Sequence, residues 1–235
     1  MLIYTLPALV GATVLHRPSK RIRSPYIADI ELDDGTLGLC HSPGLGCSGL
    51  VAPGKRIYVS ENYDSTIKTR WIAHVSEGLS AMIGIHPLTI KEATYALLER
   101  IHPDAHWTAD VIVKFCHIDY VGYLPDGKKV YVELKSVLSS PVDTIIVPEC
   151  ITARDYNETN VLKQVLLLPD THSCHFLFII PQPYCDSVVI DLKDKHYHSK
   201  MQEAVKLGIQ LHAFVLEYDV EGDILFKKEV SVQLS

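Results

Sequence analysis

The sequence predicts an α/β protein of the α+β type in two parts, a small all-β domain over residues 1–85 and an α/β domain over residues 86–235. Six short apolar or alternating runs, separated by turn residues, fill the first part, and this spacing is typical of a small barrel or sandwich. The pattern changes at His86-Pro87, beyond which helix-spaced and strand-like segments are mixed. Such mixing favours an α/β arrangement for the second part.

Each strand of the first part is predicted from a run bounded by turn residues. Glycine, proline and aspartate adopt turn conformations easily, and they stand at 33–35 as Asp-Asp-Gly and at 53–54 as Pro-Gly. The predicted strands cover residues 8–15, 26–32, 36–40, 55–60, 68–75 and 79–85.

The second part opens with a predicted helix over residues 88–101, where apolar residues recur at helical spacing. Two more helices are predicted over residues 158–168 and 198–207, the last ending at Gly208. The segment 181–198 is predicted as a long surface loop. The predicted strands cover residues 109–119, 128–136, 144–147, 174–180, 209–219 and 224–234.

The bulk composition excludes several classes of protein. Of the 235 residues, 47% are hydrophobic and 21% are charged, which is enough apolar material for a packed core. No apolar run reaches the length of a membrane-spanning helix, and the start of the chain lacks the features of a signal peptide. Six cysteines without a C-x-x-C pair predict reduced thiols in an intracellular protein, cytoplasmic or nuclear.

The charge distribution leaves two interpretations open. A net charge of −6 argues against a protein that simply coats DNA. The segment HRPSKRIR, residues 16–23, is nevertheless basic. It predicts either a nucleic-acid contact through Lys20, Arg21 and Arg23 or a solvent-exposed edge strand or loop.

The histidine content also leaves two interpretations open. The chain has 12 histidines, which include the segments THSCH, residues 171–175, and HYH, residues 196–198. Either segment could bind a metal, although the spacing alone favours polar loop residues.

The segment HIDYVGYLPDGKKVYVELKSV, which begins at His117, is predicted as a β-hairpin. Its Pro-Asp-Gly turn at 125–127 suits a type I turn followed by a bulge at the glycine. Counting outward from this turn places Asp119 opposite Glu133, and His117 opposite Lys135.

This hairpin has the charges of a metal site. Side chains alternate along a strand, so Glu133 and Lys135 share one face, with Asp119 beside them. Two facing carboxylates repel each other, and a cation between them would remove that repulsion. Oxygen ligands suit Mg²⁺ or Mn²⁺, held here by Asp119 and Glu133. Lys135 would then orient a water molecule and offset charge on a phosphate.

The spacing of these residues is that of a metal-dependent phosphodiesterase of the PD-(D/E)-x-K nuclease type. The alternative is an acid–lysine pair on a surface strand without catalytic function. In nucleases of this type an acid of the first helix often approaches the metal, which makes Glu92 a further catalytic prediction. That Glu92 lies on the solvent side of its helix is the favoured alternative.

Five segments, in the same order along the chain, resemble the sugar fermentation stimulation protein A family. They are SPYIADIELDDG (24–35), HSPGLGCSGLVAPG (41–54), HIDY (117–120), YVELKSV (131–137) and VPECITAR (147–154). The resemblance implies an N-terminal OB-like β-barrel followed by a PD-(D/E)xK restriction-endonuclease-like domain. It also implies DNA binding, with nuclease chemistry inferred from the fold.

The chain departs from the family pattern at two places. Gly44 and Leu45 stand where the family has Asn and Thr, and the segment after Arg154 lacks the family's Gly-x-x-His-Leu. By the resemblance, Thr152 and Arg154 contact the scissile phosphate or the triad of Asp119, Glu133 and Lys135. A salt bridge to a neighbouring acid is the alternative for Arg154.

Two functions remain open from the sequence. The first is a nuclease that needs Mg²⁺ or Mn²⁺ and acts on nucleic acid, with DNA as the first expectation. The second is a noncatalytic nucleic-acid-binding or regulatory protein with a degenerate nuclease domain, which the altered segment after Arg154 and the acidic net charge favour. A small-molecule sensor rests only on the family's name. No membrane partner is expected, and monomer and homodimer are both left open.

Overall fold

The computed structural model describes residues 1–44, 47–64, 66–114, 116–139, 141–147 and 153–235, and the side chains of Cys47 and of residues 153–158 lie outside this description. The strands are β1 (Leu2–Thr5), β2 (Val10–His16), β3 (Ile27–Leu32), β4 (Leu37–His41), β5 (Arg56–Glu61), β6 (Trp71–Glu77), β7 (Met82–Gly84), β8 (His106–Val113), β9 (Cys116–Tyr123), β10 (Lys129–Ser136), β11 (Thr144–Val147), β12 (Thr171–Ile180), β13 (Ser187–Ile190), β14 (Gln210–Tyr218) and β15 (Asp223–Leu234). The helices are α1 (Pro87–Tyr95), α2 (Ala153–Leu166) and α3 (Lys195–Lys206), with 3₁₀ turns at Cys47–Gly49 and Leu98–Arg100.

Strands β2 to β6 close into a five-stranded barrel, in agreement with the predicted fold class. β2 pairs antiparallel with β3 and β5, β3 pairs with β4, β5 pairs with β6, and the parallel pair β4–β6 closes the ring. Alternate side chains of these strands point inward, so Val14, Ile30 and Ile57 fill a buried interior. Gly38 is needed at the seam, because a Cβ there would lie 2.7 Å from the ring of Trp71.

The second part is built on a sheet in the order β8-β9-β10-β12-β14, which β7 joins to the barrel. β10, β12 and β14 run parallel, whereas β8, β9 and β10 form an antiparallel meander. Leu162 of α2 and Met201 of α3 pack on one face, and Ile90 and Ala93 of α1 pack on the other. Because both faces are buried, the central strands form nearly continuous apolar runs. This mixture of helices and strands agrees with the predicted fold class.

Strand β15 extends the fold into a second, smaller sheet. Its residues 223–230 pair with β14 and with β1, and its residues 231–234 pair parallel with β13, which pairs with β11. The N-terminal strand therefore adds to the sheet of the second part before the chain enters the barrel. None of the three helices described is long and apolar enough to cross a membrane.

The strand predicted over residues 109–119 is wrong. β8 and β9 are two strands, joined by a turn at Lys114, whose φ is 48°. Left-handed turn positions are usually marked by glycine, so a lysine there hid the turn from the sequence pattern.

The predicted loop over residues 181–198 is wrong in its second half, which contains β13 and the start of α3. The four residues of β13 are too few to show a period, and their parallel pairing with β11 and β15 makes them a strand. The Asp194 side chain accepts a hydrogen bond from the Tyr197 backbone nitrogen at 2.8 Å and thereby caps α3. The predicted helix over residues 88–101 is shorter than expected, since α1 ends at Tyr95 and a 3₁₀ turn follows.

Candidate functional site

The hairpin of β9 and β10 has the predicted turn. The Leu124 nitrogen donates to the Lys128 carbonyl at 2.9 Å, and Gly127 has a φ of 83°. The backbone ladder continues outward in the predicted register as far as Tyr120 opposite Val132. The register expected for the facing strands is therefore confirmed up to the residue next to Asp119.

Beyond the end of that ladder, the Asp119 carboxylate forms the next hydrogen bond between the two strands. Its Oδ2 accepts a hydrogen bond from the Leu134 backbone nitrogen at 2.9 Å, so the side chain itself connects β9 to β10. Asp119 is only 2% exposed. A buried carboxylate with a backbone partner is held in one position, as a ligand for a cation needs to be.

Strict alternation is broken at this point of β9. Ile118 and Val121 both belong to the apolar cluster beneath α2 and α3. Between them, Asp119 binds the Lys91 ammonium of α1, and the Tyr120 hydroxyl donates to the Lys91 carbonyl. Both side chains therefore approach α1, and the simple count of faces along the hairpin did not predict this.

A second acid lies beside Asp119 on the neighbouring strand. Asp110 of β8 has a φ of 56°. In the pairing of β8 with β9, Ala109 is opposite Tyr120 and Val111 is opposite Ile118, so neither Asp110 nor Asp119 has a partner in the register. Its Oδ1 accepts hydrogen bonds from the Lys91 Nζ at 2.6 Å and from the His117 Nε2 at 2.8 Å. The ligand atoms of Asp110, His117 and Asp119 lie within 4.8 Å of one another.

Lys91 is the cation of this cluster. Its Nζ bridges the carboxylates of Asp110 and Asp119, at 2.6 Å and 2.8 Å. Burial acts to lower the pKa of Lys91, but the two carboxylates outweigh it and the pKa is raised. The hydrogen bond from Lys91 in turn lowers the pKa of Asp110. The ammonium and the Asp110 carboxylate are therefore both charged at neutral pH.

These residues line a pocket of about 370 Å³ at the end of β10. Its lining is formed by Pro87, Leu88, Lys91, Asp110, His117, Asp119, Leu134, Lys135, Ser136 and Leu138. Two of the residues predicted from the hairpin, Asp119 and Lys135, meet here. Glu133, buried in β10 and 2% exposed, is next to Leu134 but is not among the lining residues over the described chain.

Glu92 lies elsewhere. It is exposed on α1, and its Oε2 accepts a hydrogen bond from the Tyr4 hydroxyl of β1 at 2.9 Å. It is not among the pocket residues in the described part of the chain. Lys91, one position earlier on the helix, points to the site instead.

The predicted phosphate contacts fall mostly beyond the description. Thr152 lies outside the described residues, and Arg154 is the second residue of α2 with its side chain not described. On the barrel, Lys20, Arg21 and Arg23 are in the loop between β2 and β3, with Lys20 and Arg23 lying at the surface.

Asp29 of β3 organises this basic loop. Its carboxylate accepts hydrogen bonds from the Ser19 hydroxyl at 2.7 Å, the Lys20 backbone nitrogen at 2.8 Å and the Arg21 Nε at 3.2 Å. Burial acts to raise the pKa of Asp29, but these partners together lower it. Arg21 is thus paired with Asp29, although its side chain is 53% exposed, and Lys20 and Arg23 are exposed as well.

Sequence reasoning missed three residues of the site: Asp110, His117 as a possible ligand, and Lys91. Asp110 was hidden because the prediction placed it inside one long strand. His117 and Asp119 are two apart on one strand, and this spacing was the available signal for a shared site. For Lys91 the sequence held no signal that separated it from Glu92.

A family model described as the sugar fermentation stimulation protein RE domain matches residues 88–222. The chain belongs to this family. Two relatives described as sugar fermentation stimulation protein homologues come from Synechocystis sp. and Rippkaea orientalis. The first is 22% identical and covers 89% of this chain and 90% of its own, and the second is 26% identical and covers 94% and 93%.

A solved structure of this family has the same fold. The Pyrococcus furiosus protein, described as SfsA in complex with Ca²⁺, matches with a TM-score of 0.83 over 99% of each chain, at 19% identity. The family and the fold class predicted from the sequence are therefore confirmed.

Proposed function

We propose that the chain is a nucleic-acid-binding protein of this family and a nuclease that needs a divalent metal, with DNA as its first substrate. The observation that carries the proposal is the buried Asp119 carboxylate, which lies within 4.8 Å of ligand atoms of Asp110 and His117 and lines a pocket together with Lys135. A pocket with fixed carboxylates and lysines is suited to a metal ion and a phosphate group.

The donor set fits Mg²⁺ or Mn²⁺. Asp119 and Glu133 remain the proposed ligands from the sequence, and the geometry adds Asp110 and His117. Carboxylate oxygens suit both ions, and an imidazole ligand favours Mn²⁺ over Mg²⁺. The similar Pyrococcus furiosus protein is described with Ca²⁺, another ion that prefers oxygen ligands.

When bound, the metal would lower the pKa of a water molecule and neutralise charge on the phosphate. The chain's own residues supply the rest. Lys135 holds the attacking water and the phosphate oxygens from one side of the pocket. Lys91 holds the carboxylates of Asp110 and Asp119 in the metal-free protein and, once the metal has displaced it, lines the pocket where it can contact the phosphate. Leu134, through its backbone nitrogen, fixes the orientation of Asp119.

Substrate beyond the pocket would be held by positive charge. Lys20, Arg21 and Arg23 on the barrel, and Thr152 and Arg154 at the start of α2, are the proposed contacts with the phosphate backbone. Such contacts position a nucleic acid without reading its sequence. Cys40, Cys174 and Cys185 are buried free thiols, which suits the reducing interior of a cell, and we include an intracellular location in the proposal.

A second candidate function is nucleic-acid binding without catalysis. One observation favours it: Lys91 already forms ion pairs with both carboxylates that a metal would use. In that case the ion pair would serve only to hold α1 on the sheet.

Titration with Mn²⁺ by calorimetry separates the two functions. Wild type should bind the ion, and Asp110→Asn/Asp119→Asn should not. Asp170→Asn is the matched control, because Asp170 pairs with Lys129 at 2.6 Å near the other end of β10. If wild type does not bind Mn²⁺, with or without an oligonucleotide, the metal site is wrong and binding without catalysis replaces it.

Cleavage of labelled single- and double-stranded DNA in Mn²⁺ tests the chemistry. Lys135→Ala should lower the rate by about 10²–10³-fold, the usual cost of losing one group that stabilises a charged transition state. Lys129→Ala, the control, should leave the rate unchanged. Full activity in Lys135→Ala would contradict the role of Lys135.

A further inference from the structure

Two histidines face each other at the start of the parallel strands, away from the pocket at the end of β10. The Nδ1 of His175 in β12 lies 3.2 Å from the Nε2 of His212 in β14. His175 is opposite Val132 of β10, whereas Lys135, which lines the pocket, is opposite Phe178. The two sites are therefore separate.

The outer nitrogen of each ring is held by a neighbour. His175 Nε2 lies 2.9 Å from the Ser173 hydroxyl, and His212 Nδ1 lies 2.8 Å from the Glu229 carboxylate of β15. Ser173 and His175 share one face of β12, because they are two residues apart. Both rings are thus fixed from outside, with their inner nitrogens turned toward each other.

Two further histidines, His102 and His172, are near enough to His175 to act on it electrostatically. The rings of His102 and His172 meet edge to face, with centroids 5.3 Å apart. His172 is exposed at a bulge, since the register of β12 with β10 passes from Thr171 to Ser173. The Nδ1 of His102 is buried, and no described residue forms a hydrogen bond with it.

We propose that His102, His172, His175 and His212 form a binding site for a borderline transition-metal ion, Zn²⁺ foremost. Two nitrogens bound at the usual Zn–N distance in a tetrahedral site are about 3.3 Å apart. The inner nitrogens of His175 and His212 are already at 3.2 Å. The pair supplies two ligands in place, and the rings of His102 and His172 would have to move toward it to supply the rest.

The outer partners are those of a metal site. Histidine ligands of metals usually donate their second N–H to a carboxylate or another oxygen, which fixes the ring and its tautomer. Glu229 does this for His212, and Ser173 is placed to do it for His175. In that tautomer both inner nitrogens offer lone pairs to a cation; without a metal the Ser173 hydroxyl donates to His175 instead, and the His175 Nδ1–H donates to His212 Nε2.

The charge state of His175 suits a ligand. Burial lowers its pKa to about 3, with contributions from His212, His102 and His172. The ring is therefore neutral at pH 7, as a metal ligand must be. Access is open from the surface, because His172 is exposed and the Glu229 side chain is 45% exposed.

The ligand chemistry separates this site from the pocket. Imidazole nitrogens select Zn²⁺, Co²⁺ or Ni²⁺, whereas the carboxylates of Asp110 and Asp119 suit Mn²⁺ and Mg²⁺. The segment 171–175, for which the sequence favoured polar loop residues, thus begins a strand and contributes two of the four ligands.

Titration of the full chain with Co²⁺, followed by visible absorption, tests the site. We expect one equivalent of Co²⁺ to give the intense bands of four-coordinate cobalt, and Zn²⁺ to displace it. His175→Gln and His212→Gln should abolish the bands. His106→Gln, at an exposed histidine of β8, and Asp119→Asn should leave them unchanged.

His175 is buried, so His175→Gln could lose the bands simply by misfolding, and two further variants control for this. His172→Gln changes an exposed ring and should also abolish the bands, and Glu229→Gln should weaken Co²⁺ binding about 10–100-fold, the usual effect of losing an outer partner. Weak six-coordinate spectra, or bands that persist in both His175→Gln and His212→Gln, would overturn the proposal. Either result would leave the Mn²⁺ experiment on the pocket unaffected.

Discussion

Lys91 determines whether the carboxylates of the pocket are paired with an ammonium or available to a metal ion. Its ammonium satisfies two carboxylates, one of them nearly fully buried. A divalent ion that binds Asp110 and Asp119 has to displace this ammonium. Lys91 therefore stabilises the metal-free protein and competes with the metal.

Substitution Lys91→Met should act in two opposite directions. The free energy of unfolding without metal should fall by about 3 kcal/mol, because a buried carboxylate loses its partner. The affinity for Mn²⁺ should rise about tenfold or more, equivalent to about 1.4 kcal/mol. Chemical denaturation with and without Mn²⁺ measures both effects.

Lys129→Met provides the control for this variant, since it breaks the comparable ion pair with Asp170 outside the pocket. It should leave Mn²⁺ affinity unchanged. A Lys91→Met protein that binds Mn²⁺ more weakly than wild type would show that Lys91 supports the metal site and does not compete for it.

At the scale of elements, helix α1 depends on histidines at its junction with the barrel. The His86 side chain caps α1 by accepting a hydrogen bond from the Thr89 nitrogen at 3.2 Å. Its ring stacks on His74 of β6, with centroids 5.1 Å apart. Burial lowers the pKa of both histidines to about 4. Both are therefore neutral in the folded protein at pH 7.

Acid should therefore destabilise this junction. The unfolded chain takes up protons near pH 6.5, whereas folded His74 and His86 take them up only near pH 4. Stability is present above pH 6.5 and is lost as the pH falls toward 4, by about 3 kcal/mol or less for each histidine. Denaturation between pH 7 and pH 4 measures this loss.

The variant His74→Gln should reduce that pH dependence, because it removes one of the histidines whose pKa is lowered on folding. His106→Gln, at an exposed histidine, should keep the wild-type slope. An unchanged slope in His74→Gln would mean that other groups cause the acid sensitivity.

At the scale of the whole molecule, β7 connects the barrel to the central sheet. It pairs with β6 on one side and meets β14 at Tyr218 on the other. A Cβ on Gly84 would overlap the ring of Tyr218, which is only 6% exposed. This close approach holds the barrel beside the sheet that carries the pocket.

Gly84→Ala should therefore lower the free energy of unfolding by about 1–3 kcal/mol, as overpacking usually does. Equilibrium unfolding in urea measures it. Gly127→Ala is the comparison, because it meets no atom within 4 Å and bears only the strain of its φ of 83°, about 1–2 kcal/mol. If Gly84→Ala is as stable as wild type, the two strands are free to move apart.

The proposed contact between the basic loop of the barrel and DNA phosphates can be tested with the complete protein. Lys20→Ala/Arg23→Ala should weaken binding to a DNA duplex and reduce the slope of log affinity against log salt, by about 0.9 for each phosphate that the protein no longer neutralises. Fluorescence anisotropy at several salt concentrations measures this. Lys55→Ala, an exposed lysine outside the loop, is the control, and equal slopes in wild type and the double variant would contradict the proposed role of the loop.

The amino-acid sequence determined the strand runs of the barrel, the turn at 125–127 and the pairing that leads to Asp119. These features depend on local preferences, namely apolar alternation and turn residues. Such preferences can be recognised in the sequence without knowing which segments pack together in the fold. The ordered segments also identified the family. Local preference failed where a lysine took the left-handed position at 114, and in β13, a short strand that exists because two other strands pair with it.

Only the tertiary structure decided which charges meet. Asp110, His117 and Lys91 reach Asp119 from three elements, and the break in alternation at Asp119 and Tyr120 turns both side chains toward α1. The histidines of β12 and β14 likewise come together through a parallel pairing of distant segments. Sequence spacing describes neighbours along one strand, whereas a site is formed by side chains that packing brings together from several strands.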